Sequence, residues 1–220
     1  MARTRLPVKG IIFDMYGTVV DVGAVAEACS EVARDPIAFN NQWRAKQLEY
    51  TFLRTLMGKY RDFWKVTEEA LAFAVERFTL QMAAEQRQRL MEAWLLPSPY
   101  PEVMMALPRL KEKHFLAVLS NGTPTMLRTG LARAGLRSHF RWLISAGSMK
   151  RYKPSPKVYQ RALQRTKLRR ERSFSSPLIR EMWLEPKASV ARSARHPGRQ
   201  VGSVRPDLVV MNFDELMESV

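Results

Sequence analysis

The apolar run Val8-Lys9-Gly10-Ile11-Ile12-Phe13 ends on a carboxylate, Asp14, and the chain turns at once through Met15-Tyr16-Gly17-Thr18. A short apolar run closed by a turn reads as a buried strand over residues 8–14. In an open α/β sheet, ligands gather at the carboxyl ends of the strands. Asp14 is therefore a candidate nucleophile. An aspartate at a strand end also serves as a plain turn former, so the rest of the chain has to decide between the two.

The pattern after Gly23 is helical as far as Leu95. Trp43, Leu48, Phe52, Leu56 and Met57 recur at near-helical spacing, as do Phe63, Val66, Leu71, Ala74 and Phe78. This reads as a small helical bundle inserted soon after the first strand, with Pro97, Pro99 and Pro101 marking its end. Strand and helix then alternate. Phe115-Leu116-Ala117-Val118-Leu119 is a strand ending at Ser120-Asn121-Gly122, residues 125–134 are a helix, Trp142-Leu143-Ile144 is a short strand, and residues 155–166 are a helix. Such alternation argues for a parallel sheet with right-handed crossovers. The expected architecture is an α/β, Rossmann-like core formed by residues 1–20 and 98–220, with a helical cap over 21–97. A strand at 206–210 and a short helix at 213–220 close the chain, but residues 173–200 show no sustained period.

With 220 residues, 46% of them apolar, the chain can pack a core domain and a smaller insert. Cys29 is its single cysteine, so no internal disulfide forms, and no run is apolar enough for a secretory or membrane segment. A soluble cytoplasmic protein, with no membrane partner, is the expectation. The net charge of +15 raises the question of nucleic acid. However, the basic residues are dispersed, and the one dense cluster, Lys167-Leu168-Arg169-Arg170-Glu171-Arg172, lies behind a helix as a solvated end. Without a basic stripe interleaved with aromatics, no nucleic-acid partner is expected, and the charge is better suited to steering small anions into a cleft. His114, His139 and His196 have no spacing suited to a metal or a triad. No Gly-x-Ser-x-Gly, phosphate-cradling glycine loop or paired-cysteine site occurs.

Four segments in order carry a resemblance. Phe13-Asp14-Met15-Tyr16-Gly17-Thr18, Leu119-Ser120-Asn121-Gly122 and Tyr152-Lys153-Pro154 resemble the first three motifs of the haloacid dehalogenase superfamily. In the insert, Gln42-Trp43-Arg44-Ala45-Lys46-Gln47-Leu48-Glu49-Tyr50 and Asp62-Phe63-Trp64 are similar to the cap of the type II (S)-2-haloacid dehalogenases. The resemblance covers about residues 8–165 and again 203–220. Phosphatases of this superfamily place a second aspartate two residues after the nucleophile to protonate the leaving group. This chain has Tyr16 there. Halide needs no proton to leave, so the substitution favours carbon–halogen displacement.

The resemblance implies a set of roles. Asp14 attacks the substrate Cα in line with the carbon–halogen bond, forming an ester with inversion, which is nucleophilic catalysis by a carboxylate. Arg44 receives the departing halide, Asn121 adds a donor, and Phe63 lines the same pocket. Ser120 holds the substrate carboxylate, Lys153 keeps Asp14 ionised and oriented, Thr18 hydrogen-bonds Asp14, and Tyr159 supports the Lys153 region. Tyr16 and Leu48 wall the substrate's alkyl group, and Ala45 stands where relatives often carry a longer side chain. The implied partners are a small 2-haloacid, halide and a second copy in a homodimer, with no cofactor and no metal. Each assignment has a plainer competitor. Arg44 alone is a solvated helix residue, Phe63 and Leu48 are cap core, Lys153 is a loop residue and Tyr159 is packed in its helix.

The fourth motif of the relatives, Phe-Val-Ser-Ser-Asn followed by an Asp and Gly-Ala, is missing after Phe174. New codons can be built from the third base of each residue and the first two bases of the next, starting at Phe174 and ending at Val190. One permitted solution then reads Phe-Val-Ser-Ser-Asn-Ser-Arg-Asp-Val-Ala-Gly-Ala-Lys-Ser-Phe-Gly. Glu181 with Met182 allows only Asp or Asn, and Met182 with Trp183 forces Val. The expectation is a frameshift through about residue 200 with a compensating shift before Val209, an irregular stretch over 173–205 and impaired ester hydrolysis.

Overall fold

The computed structural model describes residues 9–23 and 25–167. The expected elements at 206–210 and 213–220 and the irregular stretch at 173–205 lie outside the described residues.

The first strand, β1 (Gly10–Phe13), is buried along its whole length. It pairs in parallel with β4 (Phe115–Ser120), and β4 pairs in parallel with β5 (Trp142–Ser145), giving the sheet order β1-β4-β5. Period-two alternation sends side chains to opposite faces. Ile11, Phe13, Leu116 and Val118 enter the main core with the helices, while Ile12, Ala117, Leu119 and Ile144 form a second cluster with Val158 and Ala162 of α7 (Pro156–Thr166). The expected α/β class with a parallel sheet is the observed one.

Between β1 and β4 come β2 (Val20–Asp21), α1 (Val25–Cys29), α2 (Pro36–Met57), α3 (Phe63–Arg77), α4 (Ala84–Ala93), β3 (Ser98–Pro99) and α5 (Pro101–Lys113). β2 and β3 pair antiparallel in a two-residue ribbon, so the chain leaves for the inserted helices and returns from them at one place. Local chemistry sets the long helices. Asp35 caps α2 by accepting from the Ala38 N–H at 2.9 Å, Pro36 opens it, and Gly58 at φ +67° ends it in the left-handed region. Asp62 caps α3 through the Lys65 N–H at 3.0 Å.

Helix α5 and the β2/β3 ribbon have no counterpart in the sequence reading. Pro97, Pro99 and Pro101 read as a break, yet Pro101 is the first residue of α5, where a missing N–H costs nothing. Pro108 lies inside the same helix on its exposed side, while Val103, Ala106, Leu107 and Leu110 keep the buried stripe. Helix α6 (Pro124–Arg133) follows β4, capped by Thr123. Among the described residues no helix is long and apolar enough to cross a membrane.

Leu107 is fully buried and Ile37 is 66% exposed. Leu107→Ala is expected to lower unfolding free energy in urea by about 2–5 kcal/mol. Ile37→Ala is expected to shift it by less than about 0.5 kcal/mol. Similar losses in the two variants would contradict the assigned core.

Candidate active site

Asp14 follows β1 directly, and its register partner strand runs further: Phe13 lies opposite Val118, so β4 continues through Leu119 and Ser120 beside the carboxylate. One oxygen, Oδ1, accepts from the Met15 N–H at 2.7 Å and takes the Lys153 ammonium at 2.7 Å. The Lys153 Nζ also donates to the Leu119 carbonyl at 3.2 Å, which holds it across the end of β4. The two side chains are 15% and 23% exposed, so the pair is mostly shielded yet reachable from solvent.

The loop that carries Lys153 is tied down on several sides. Its backbone N–H donates to Asn121 Oδ1 at 2.8 Å. Tyr152 is fully buried, donates through its hydroxyl to the Arg61 carbonyl, and packs against Tyr60 and Phe63. Its N–H donates to Thr55 Oγ1 at 3.2 Å. Arg61, Phe63 and Thr55 all belong to the insert, so the insert fixes the loop that pairs with Asp14.

Ser120 is buried at the end of β4 and its Oγ accepts from the Gly122 N–H at 3.3 Å, while Ser145 Oγ donates to the Gly122 carbonyl at 2.6 Å. A Cβ on Gly122 would meet Tyr16 Cε2 at 3.1 Å and Leu127 Cδ1 at 2.8 Å, so glycine lets this loop pass close to the Tyr16 ring. Tyr16 is buried with its ring edge-on to Trp94, and its hydroxyl donates to the Trp94 carbonyl at 3.1 Å.

Arg44 reaches this place from α2. Its guanidinium donates to the Tyr16 carbonyl at 3.4 Å and to Gln47 Oε1, and it lies 5.6 Å from the centre of the Trp94 ring. The structure thus brings Asp14, Tyr16, Arg44, Ser120, Asn121 and Lys153 around one end of the sheet. Arg54, on the same helix, instead pairs with Glu69 at 2.6 Å.

The surroundings of the other residues singled out from sequence vary. Thr18 is buried, but it makes no hydrogen bond to Asp14: its N–H donates to the Met15 carbonyl at 3.2 Å in the turn, and the aspartate oxygen is engaged by Met15 and Lys153. Phe63 is buried in the main core beside Tyr152. Leu48 is half-buried on α2 and is no member of that core. Tyr159 is half-buried on α7 and packs on the second cluster, on the other face of the sheet. Ala45 is exposed. Among the described residues no group of three His, Cys, Asp or Glu converges as a metal site. Sequence reasoning missed Trp94, Gln47 and Tyr152. Gln47 carried a signal, since it stands three residues after Arg44 on a helix, where side chains meet.

Residues 8–174 match the haloacid dehalogenase-like hydrolase family. The chain belongs to that family. (S)-2-haloacid dehalogenase 1 of Pseudomonas sp. strain CBS-3 is 41% identical over 165 residues, covering 74% of this chain and 73% of that protein. (S)-2-haloacid dehalogenase 2 of the same strain is 35% identical over 223 residues, covering 95% and 94%. A solved structure of the L-2-haloacid dehalogenase of Xanthobacter autotrophicus with chloropropionic acid covalently bound matches with a TM-score of 0.77 at 27% identity, over 96% of this chain and 97% of that one. The family resemblance carried by the motifs is thus borne out.

Burial pushes the Tyr16 phenol far above its usual value of 10, against the opposing pull of the Arg44 charge. Burial and the Asp21 carboxylate push Tyr100 up to about 12. An unfolded chain ionises these phenols near pH 10 while the folded chain keeps them neutral. The stability they contribute is therefore whole below about pH 10 and is lost as the pH climbs toward their folded values. The urea midpoint is expected to fall as pH rises above about 10, and to fall less steeply in Tyr16→Phe. Equal slopes in the two proteins would show that Tyr16 ionises as freely when folded as when unfolded.

Proposed function

We propose that this chain dehalogenates short (S)-2-haloalkanoic acids such as 2-chloropropionate, yielding the (R)-2-hydroxy acid and halide through an ester on Asp14. The supporting observation is a carboxylate and a guanidinium brought to the same turn at Tyr16, one from the end of β1 and one from α2. Asp14 is held by Lys153 at the end of β1, and Arg44 is brought from the insert to the Tyr16 carbonyl. An Asp14 oxygen forms the new bond to the substrate Cα, the carbon–halogen bond breaks, and its electron pair leaves with the halide toward Arg44. A guanidinium cannot lose its charge at working pH, so it stabilises the developing anion throughout. Lys153 supplies a fixed positive charge beside the nucleophile. Ser120, the last residue of β4, and Asn121, which follows it, are the groups we assign to the substrate carboxylate and to the halide. Tyr16, Leu48 and Phe63 form the apolar side of the pocket, while Thr18 and Tyr159 support the turn and the helix behind it. Water then cleaves the ester and restores Asp14. The named activities of the relatives support the same reading.

A specific observation favours a partial form of this reaction. The segment from Phe174 to about Gln200 lacks the fourth motif, and the family match ends at residue 174. We propose that this segment is read out of frame, so that alkylation of Asp14 proceeds and ester hydrolysis is slowed. With a chelator present, 2-chloropropionate should release about one halide per chain quickly and more only slowly, and mass spectrometry should show the adduct on Asp14. Arg44→Ala should slow the first phase by about a hundredfold or more, whereas Arg54→Ala, whose partner is Glu69, should leave it within about threefold. Equal losses would mean that the halide site is misplaced, and a strict magnesium requirement with phosphate-ester turnover would replace the proposal by a phosphatase. Resequencing should find the Ser-Ser-Asn and Asp pattern in the alternative frame, with the repaired protein turning over steadily.

A cytoplasmic setting belongs to the same reading, supported by the buried free thiol of Cys29. So does a homodimer. Phe52, Leu53, Leu56 and Met57 lie 46%, 42%, 83% and 58% exposed on the last turns of α2, at spacings that share a face, which a second copy would cover. Sedimentation should show a dimer that Leu56→Lys converts to a monomer, and a monomeric parent protein would refute this.

A further inference from the structure

Arg44 does not hold its orientation alone. Its guanidinium donates to Gln47 Oε1, one turn further along α2. Gln47 is fully buried and donates through Nε2 to Thr67 Oγ1 at 2.6 Å, and the Thr67 hydroxyl donates to the Phe63 carbonyl at 2.7 Å. The Thr67 carbonyl in turn accepts from the Trp43 indole N–H at 2.8 Å. Each group in this chain has one direction open to it. A hydroxyl has a single proton, and here it is given to Phe63, so Thr67 can only accept from Gln47. The amide must then present its NH2 to Thr67 and its oxygen to Arg44. The direction of the amide is dictated by α3, not by Gln47 itself.

The neutrality of the amide matters as much as its direction. A carboxylate at position 47 would also bind the guanidinium, but it would place a negative charge where the arginine is needed for an anion. It would also have no proton for Thr67, which would have to give up the Phe63 carbonyl. We propose that Gln47 is a positioning residue that aims the Arg44 guanidinium at the halide while leaving its charge unquenched, with Thr67 fixing which way the Gln47 amide faces. This rests on the assignment of Arg44 as the halide acceptor. The buried relay carries the register of α2 against α3 into the pocket, so halide affinity depends on a contact that never touches substrate.

The test is a bromide titration of the full chain, read by the fluorescence of tryptophan, because Trp94 lies against the Arg44 guanidinium. Thermal melts run alongside. The parent protein should bind bromide saturably and Arg44→Ala should not. Gln47→Glu should retain a cooperative melt yet weaken bromide about tenfold or more. Gln47→Leu, which removes the Gln47 bonds to Arg44 and Thr67 without adding charge, should melt lower than Gln47→Glu but bind bromide better. Thr67→Val should weaken bromide and Thr67→Ser should restore it, which keeps the test open if a Gln47 variant does not fold. A structural role alone predicts that affinity tracks melting temperature, and that result would overturn the proposal. So would folded Gln47→Glu and Thr67→Val proteins with bromide affinity within about twofold of the parent. An Arg44→Ala protein that binds bromide normally would instead remove the halide role of Arg44, a separate failure.

Discussion

The contact between Lys153 and Asp14 is the constraint around which the site is organised. The two residues come from distant parts of the chain and meet only because β4 lies between them, and Lys153 donates to the Leu119 carbonyl of that strand while pairing with Asp14. Both side chains are largely shielded. Leaving one member of a buried pair without its partner costs about 3–5 kcal/mol, so the loop bearing Lys153 has to be held in place. The holding groups are Asn121 from the core and Thr55, Arg61 and Phe63 from the insert, acting through Tyr152. The core alone does not define the surroundings of Asp14. An insert that shifted by a turn would move Tyr152 and release the lysine.

A second set of contacts locks the insert to the strand end. Trp94, just after α4, receives the Tyr16 hydroxyl on its carbonyl and lies edge-to-face with the rings of Tyr16 and Trp43. Trp43 packs near Phe39, and Phe39 against Phe78 at the end of α3. Aromatic contacts of this kind add about 0.5–1.5 kcal/mol each beyond their buried area. They are also geometrically selective. This aromatic wall therefore sets the distance between α2 and the turn at Tyr16. Arg44 crosses that distance, and its position is a consequence of aromatic packing together with the polar relay behind it.

Much of this was legible because the signals were local. The buried strand before Asp14, the helical period of α2 and α3, and the strand ending at Ser120 each show in short windows, and each element formed close to where its pattern lies. Helix α5 was hidden because prolines at 97, 99 and 101 signal a break as strongly as a helix start, and only the buried stripe of Val103, Ala106, Leu107 and Leu110 distinguishes the two. The β2/β3 ribbon was hidden because two-residue pairings leave no periodicity. In the site, the pairing of Lys153 with Asp14 was readable from the motifs, but the partners of Thr18, Gln47 and Tyr152 were not. Thr18 and Asp14 are neighbours in sequence without bonding, while Gln47 and Thr67 bond across twenty residues that no motif links.

The positive charge of the chain can be separated from the question of the reading frame. Between residues 174 and 200 there are five basic and two acidic residues, a net +3 out of the +15 of the whole chain. Most of the excess charge therefore belongs to sequence outside the suspect segment. A long-range positive field of the kind that steers small anions does not depend on that segment, and neither do Asp14, Arg44 and Lys153. On the proposed reading, displacement of halide needs a nucleophile and a counter-charge for the leaving group, and Asp14 and Arg44, to which these roles are assigned, both lie before residue 160. Hydrolysis of the resulting ester needs an activated water as well, and the groups that the family resemblance assigns to that task come from the fourth motif. The two half-reactions thus draw on separable stretches of chain. A frameshift in one stretch, as proposed, would leave a protein equipped to attack its substrate but poorly equipped to let go of it.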